Sequence, residues 1–214
     1  MNKKIILTFT AIILFLGSSY SQTSTDTRET IVFGIKAGLN LSNVYDEQGD
    51  NFNADSKFGF VTGGFLSVPL GKLIGIQPEF LFSQKGFQAK GSFLLGGDYS
   101  YTKTTNFIDV PIFFNLKPTK ELSLLIGPQY SYLLKETNTY SNGVSTSAQE
   151  KEFENSNIRK NLLSFALGAD VNLNHMALGL RACWDVQNNK GDGTSTVPRY
   201  KNVWYQATIA YRIF

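Results

Sequence analysis

Nine ionisable side chains of this 214-residue chain fall at one phase of alternating segments: Lys36, Glu79, Lys85, Asp109, Lys135, Asp170, Arg181, Asp185 and Arg212. Five bases and four acids suit a proton or ion path, a catalytic carboxylate pair, or a set of salt bridges that fills an enclosed space. Near balance of charge favours the last, because ions withdrawn from water must be paired. His175 is the sole histidine, which leaves a His-based triad without its base and makes a poor metal site. Cys183 is the sole cysteine, so it forms no intramolecular disulfide and has no histidine in strand range to activate it. Asp46, Glu47, Asp50 and Asp55 share one polar stretch, but their spacing fits no EF-hand loop and reads as solvated charge. No Gly-rich phosphate loop precedes a helix. These residues predict no enzyme, no cofactor and no metal centre.

The elements that place the nine charges are strands. Between Phe107 and Lys135 two runs alternate in polarity around the connection Lys117-Pro118-Thr119-Lys120-Glu121. Ile108, Val110, Ile112, Phe114 and Leu116 share one face of the first run, and Leu122, Leu124, Ile126, Tyr130, Tyr132 and Leu134 one face of the second. Each run is long enough to cross a bilayer at a tilt, which takes roughly 9–11 residues.

The same alternation predicts strands over Ile31–Leu41, Lys57–Val68, Leu73–Phe87, Asn161–Leu173, Met176–Val186 and Tyr200–Phe214, eight in all. Pro78, Pro111 and Pro128 fall inside strands and predict a bulge or a missing ladder bond at each. Connections alternate long and short, the longest being the polar insertion Glu136–Lys160. The pattern predicts an all-β fold, an eight-stranded antiparallel up-and-down transmembrane β-barrel with both termini on the periplasmic side. A soluble sandwich would show the same alternation inside out. Long loops, outward aromatics at Tyr130, Tyr132, Trp184, Tyr205 and Tyr211, and the N-terminus favour the membrane.

That N-terminus reads as a secretory signal peptide over residues 1–21. Lys3 and Lys4 precede an apolar core from Ile5 to Leu16 and small residues at Ser19 and Ser21. Residues 22–30 then form a loose polar periplasmic segment, and 31–214 the barrel domain. Without Lys3 and Lys4 the 20 Lys and Arg become 18, against 17 Asp and Glu. A chain so nearly neutral predicts no nucleic-acid partner. Only 17% of residues are charged, below the roughly 25% of an ordinary soluble domain. Mean hydropathy is only −0.13, as expected where apolar residues hide in alternation. Outer-membrane lipid and an unknown extracellular or envelope partner are the partners expected. Recognition is expected on the long loops, with Tyr140 and Phe153 as candidate contact residues.

Several segments carry a family likeness: Phe33-Gly34-Ile35-Lys36-Ala37-Gly38-Leu39-Asn40, Pro78-Glu79-Phe80-Leu81-Phe82-Ser83-Gln84-Lys85-Gly86, Ile108-Asp109-Val110-Pro111 with Asn115-Leu116-Lys117-Pro118, and Gly127-Pro128-Gln129-Tyr130. Together they resemble the Bacteroidota-type outer-membrane β-barrel proteins, the PorT-like or porin-family group, over nearly the whole mature chain. The resemblance implies an outer-membrane barrel and little about activity, since some relatives assist protein secretion. Arg212-Ile213-Phe214 looks like the aromatic-ending signal read by the barrel-assembly machinery, although Phe214 falls in the inward phase. The reading that results is a barrel with a side-chain-filled lumen, acting structurally or as a surface-interaction protein. A narrow porin-like channel or a secretion accessory is the alternative.

Overall fold

Alternation of apolar and polar side chains becomes strand wherever it is sustained. The computed structural model describes residues 26–45, 54–92, 98–141, 146–151, 159–189 and 200–213. The predicted signal peptide, Asp46, Glu47, Asp50, Phe153 and Phe214 lie outside the described residues. Among the described residues nine strands form: β1 Val32–Tyr45, β2 Asp55–Pro69, β3 Ile74–Ser92, β4 Asp98–Leu116, β5 Leu122–Ser141, β6 Thr146–Lys151, β7 Asn161–Leu173, β8 Met176–Asp185 and β9 Lys201–Arg212. All pairings are antiparallel, and eight strands close a ring in the order β1-β2-β3-β4-β5-β7-β8-β9, with β9 returning to β1. The sheet is therefore a closed eight-stranded up-and-down barrel, and β6 is a ninth strand outside the ring.

Three connections at one end are tight. Leu70 donates its backbone N–H to Ile74 across the first, Lys117 reaches Leu73, and Asn174 takes a left-handed φ of 50° in the last. Asparagine tolerates that conformation better than most side chains, which suits a two-residue hairpin turn. We call this the turn end and the opposite rim the loop end.

At the loop end the strands run further than alternation alone suggests. The insertion expected as a loop over Glu136–Lys160 is in part strand. β5 continues through Ser141, and β6 pairs back on it from Glu136↔Lys151 to Ser141↔Thr146. The stretch Gln88–Ser100 likewise forms most of a β3–β4 hairpin, paired up to Ser92↔Asp98. These segments are rich in Thr (Thr102, Thr104, Thr105, Thr137, Thr139), whose branched side chains favour strand without needing an apolar face.

The prolines break ladder bonds without shifting phase. Pairing skips from Pro78↔Ile112 to Leu81↔Asp109, and from Pro111↔Gln129 to Phe114↔Ile126, with one register on both sides. The register shifts lie elsewhere, between Ser56 and Val61 in β2–β3 and between Asn106 and Phe107 in β4–β5. At the β1–β9 seam a Cβ on Gly38 would run into the carbonyl oxygen of Ala207. Gly38→Ala is expected to cost about 1–3 kcal/mol, an overpacking penalty, read as an earlier urea midpoint for the refolded barrel.

Polarity is inverted relative to a soluble domain. Leu180 and Phe58 are 69% exposed and Phe80 62%, whereas Glu79 and Arg181 are 3% and 4% exposed. Outward side chains form a continuous apolar collar with Ile35, Ile112, Ile126, Leu167 and Ile209, joined by Tyr130, Tyr132, Tyr205 and Tyr211.

Candidate functional site: the filled lumen

Every inward side chain owes its place to strand phase, so the lumen is built one residue in two from each strand. At its centre Glu79 of β3 accepts four hydrogen bonds from three residues. Lys36 Nζ lies 2.7 Å from Oε1, and Arg181 of β8 grips both oxygens, Nη1 to Oε2 at 2.7 Å and Nη2 to Oε1 at 2.9 Å. Gln77 Nε2 donates to Oε1 at 2.8 Å, while Asn115 donates to Gln77 Oε1 at 2.9 Å. Arg181 also stacks over Phe113 at 4.6 Å and faces Asp170 Oδ2 at 3.9 Å. A polar chain leads on from Gln206 to Asn40 and from Asn40 to Ser83. A bidentate guanidinium on a carboxylate is among the strongest ionic contacts, and here it spans the barrel.

Above it, toward the loop end, Lys85 Nζ meets Asp109 Oδ2 at 2.9 Å and sits 3.8 Å from the Trp204 ring centre and 4.6 Å from that of Phe107. Asp185 accepts from Ser164 Oγ at 2.6 Å and from the backbone N–H of Asn202 at 3.0 Å. A third layer pairs Lys103 with Glu136 at 2.8 Å, with the Lys103 ammonium 5.5 Å from the Tyr200 ring centre. One small apolar cluster (Phe107, Leu133 and Leu162) lies among these layers, and another (Val32, Phe65, Ala177 and Ala210) lies toward the turn end.

Seven of the nine predicted charges are thus buried inside: Lys36, Glu79, Lys85, Asp109, Asp170, Arg181 and Asp185. Arg212 lies half-buried at the turn-end mouth, donating to Thr27 Oγ1 at 3.3 Å. Lys135 does not point inward. Phe107 pairs with Leu133 but Asn106 pairs with Lys135, so β5 gains one residue at Leu134. One extra residue exchanges the two faces. Glu136 takes the inward position, 2% exposed, and Lys135 stands opposite outward-facing Asn106.

Sequence reasoning missed Lys103, Glu136 and Lys117, all buried. Lys103 shares the phase of Asp109 through Thr105 and Phe107, so extending the alternation would have found it. Lys117 continues that phase through Asn115 but was assigned to the turn. Glu136 had no signal in the pattern, because the bulge inverts it. Among the described residues the buried ions number five of each sign: Lys36, Lys85, Lys103, Lys117 and Arg181 against Glu79, Asp109, Glu136, Asp170 and Asp185.

Chemistry beyond pairing has few parts. Cys183 is 2% exposed in a cluster with Phe113, Leu125, Ala166 and Trp204. His175 is exposed in the last turn, its ring 6.1 Å from that of Tyr211. Among the described residues no three His, Cys, Asp or Glu side chains gather as a metal-binding group, and Asp55 is exposed at the start of β2. Tyr140 lies in β5 opposite Tyr101, and its side chain is outside the described residues.

A closed antiparallel barrel with a greasy outer wall and a paired ionic interior is a membrane-spanning β-barrel. The chain belongs to the outer membrane protein beta-barrel domain family, whose model matches residues 20–190, and this places it in the bacterial outer membrane. No curated protein matches the chain by sequence. Among solved structures it is similar to Ail, the attachment invasion locus protein of Yersinia pestis, at 12% identity and a TM-score of 0.46, covering 85% of this chain and 98% of that one. It is also similar to Neisserial surface protein A (11%, TM-score 0.48, 84% and 96% covered). OprG from Pseudomonas aeruginosa is a further neighbour (15%, TM-score 0.33, 86% and 94% covered).

Proposed function

We propose that this small outer-membrane barrel keeps a closed lumen and serves as a structural or surface-interaction protein through the sheet and loops at its loop end. The observation that carries the reading is the division of labour between the two parts. The interior is occupied by cross-lumen ion pairs, as a barrel of eight strands has room only for side chains. The β3–β4–β5 strands, 19, 19 and 20 residues long, exceed the roughly 9–11 residues that cross a bilayer, and β6 adds an outer strand to them.

In this reading the loop end faces outward from the cell and both termini are periplasmic, following the usual asymmetry of short periplasmic turns. Residues 1–21 direct export, the barrel-assembly machinery inserts the chain, and an extracellular or envelope partner meets the loop end, with Tyr140 and Phe153 as candidate contact residues. The barrel performs no catalysis. The segments around Gly34, Pro78, Pro111 and Pro128 support a place in the PorT-like, Bacteroidota-type group.

Purified protein in planar bilayers is expected to give no steady conductance, and regular channel openings would overturn the closed lumen. An epitope inserted at 142–145 is expected to be reached by antibody on intact cells, while one following residue 22 is reached only after lysis. The reverse labelling would invert the orientation.

A further inference from the structure

At the turn-end mouth of the lumen lies a cavity of about 30 Å³, room for roughly two water-sized atoms. Its wall includes Lys117, Arg212, Asp170, Ser123, Asn172 and Thr27. Lys117 is only 6% exposed, and it shares the cavity wall with a second cation, Arg212. Burial first, and then the positive charge of Arg212, push Lys117 below the ordinary lysine range. Two cations therefore bear on each other across the mouth.

The nearby acids, Asp26 and Asp170, offset that excess only in part. Arg28, also in the wall, is already gripped by Asp26 at 2.7 Å. Asp170 turns Oδ2 toward Arg181 at 3.9 Å. Ser123 Oγ accepts from Asn172 Nδ2 at 3.0 Å, which leaves the Ser123 hydroxyl proton free to point into the cavity.

We propose that this mouth binds a small oxyanion, a carboxylate or phosphate group, held between Lys117 and Arg212. Two oxygens of such a group fit the space, neutralise the facing cations and receive the Ser123 proton. The N-terminal turn at Asp26–Thr30 forms one lip, since Arg212 holds Thr27 and Thr30 donates its N–H to Thr27 at 3.3 Å. Within the segment 22–30, expected to be loose, Thr27 and Arg28 line the cavity.

The test titrates the refolded mature barrel in zwitterionic micelles with inorganic phosphate and, separately, acetate, against chloride at matched ionic strength, by calorimetry. A saturable response to phosphate alone assigns a phosphate group; one to acetate alone assigns a carboxylate; both together assign a general oxyanion site. Lys117→Gln and Arg212→Gln are each expected to weaken binding about tenfold, the effect of losing one charged hydrogen bond. Lys117→Arg keeps the charge and is expected to bind, and Asp170→Asn to bind more tightly. Heat-dependent gel mobility confirms that each variant is folded. A response equal to that of chloride, unchanged affinity in both glutamine variants, or weaker binding in Asp170→Asn would overturn the site.

Discussion

Glu79→Gln is expected to lower the unfolding free energy of the barrel by about 3–5 kcal/mol, the cost of removing one partner from a buried ion pair. The reason is local stoichiometry. Glu79 is the shared acceptor for Lys36 and Arg181, all three almost wholly buried, and the amide leaves two cations facing each other at the centre. Asp170 is the next acid and reaches Arg181 only at 3.9 Å. Lys36→Met should cost less, because Arg181 still saturates Glu79 through two hydrogen bonds. In the Glu79→Gln background the same Lys36→Met change should restore stability, since it removes an unpaired charge. Equilibrium urea titration in lipid vesicles reads all three. If Glu79→Gln unfolds with the parent, the central network is not what holds the lumen together.

Leu180→Arg should be nearly as damaging for the opposite reason. Leu180 lies mid-strand in β8, 69% exposed, beside Ala169 and Ala207, and its neighbour in sequence, Arg181, is the best-paired cation of the interior. An arginine on the lipid face near the bilayer midplane costs about 2–4 kcal/mol. The same guanidinium one residue later is stabilised by Glu79. In a soluble barrel the change would place a charge in water and cost little. Vesicle unfolding and the fraction of chain reaching the folded gel form check it. Parent-like stability of Leu180→Arg would mean that this face does not meet hydrocarbon.

How far the sequence was legible depends on which interaction held each residue. From Val32 to Asn40, and through most of β7 and β8, one residue in two is apolar because one face meets lipid, so phase could be read directly. The same phase placed Glu79, Asp109, Arg181 and Asp185 inside before any partner was known. Where strands rise past the collar, neither face must be apolar. The alternation fades there while the backbone stays extended, which is why it carries no signal for Lys103 or for the β5–β6 pairing from Glu136 to Lys151. The prolines were a smaller surprise. They interrupt hydrogen bonds, but their neighbours' side chains stay in phase, and phase is what lipid and lumen recognise.

Period-two patterning along the chain was sufficient for the closed antiparallel architecture, the greasy exterior and the ionic interior, because each is a property of single strands in a two-faced environment. Contacts between strands far apart in sequence were decided only when the ring closed. Arg181 finds Glu79 102 residues away, and Lys85 of β3 finds Trp204 of β9. The exchange of Lys135 for Glu136 belongs to the same class. It follows from a single added residue opposite Asn106 and Phe107, and only pairing between β4 and β5 can reveal which residue is extra.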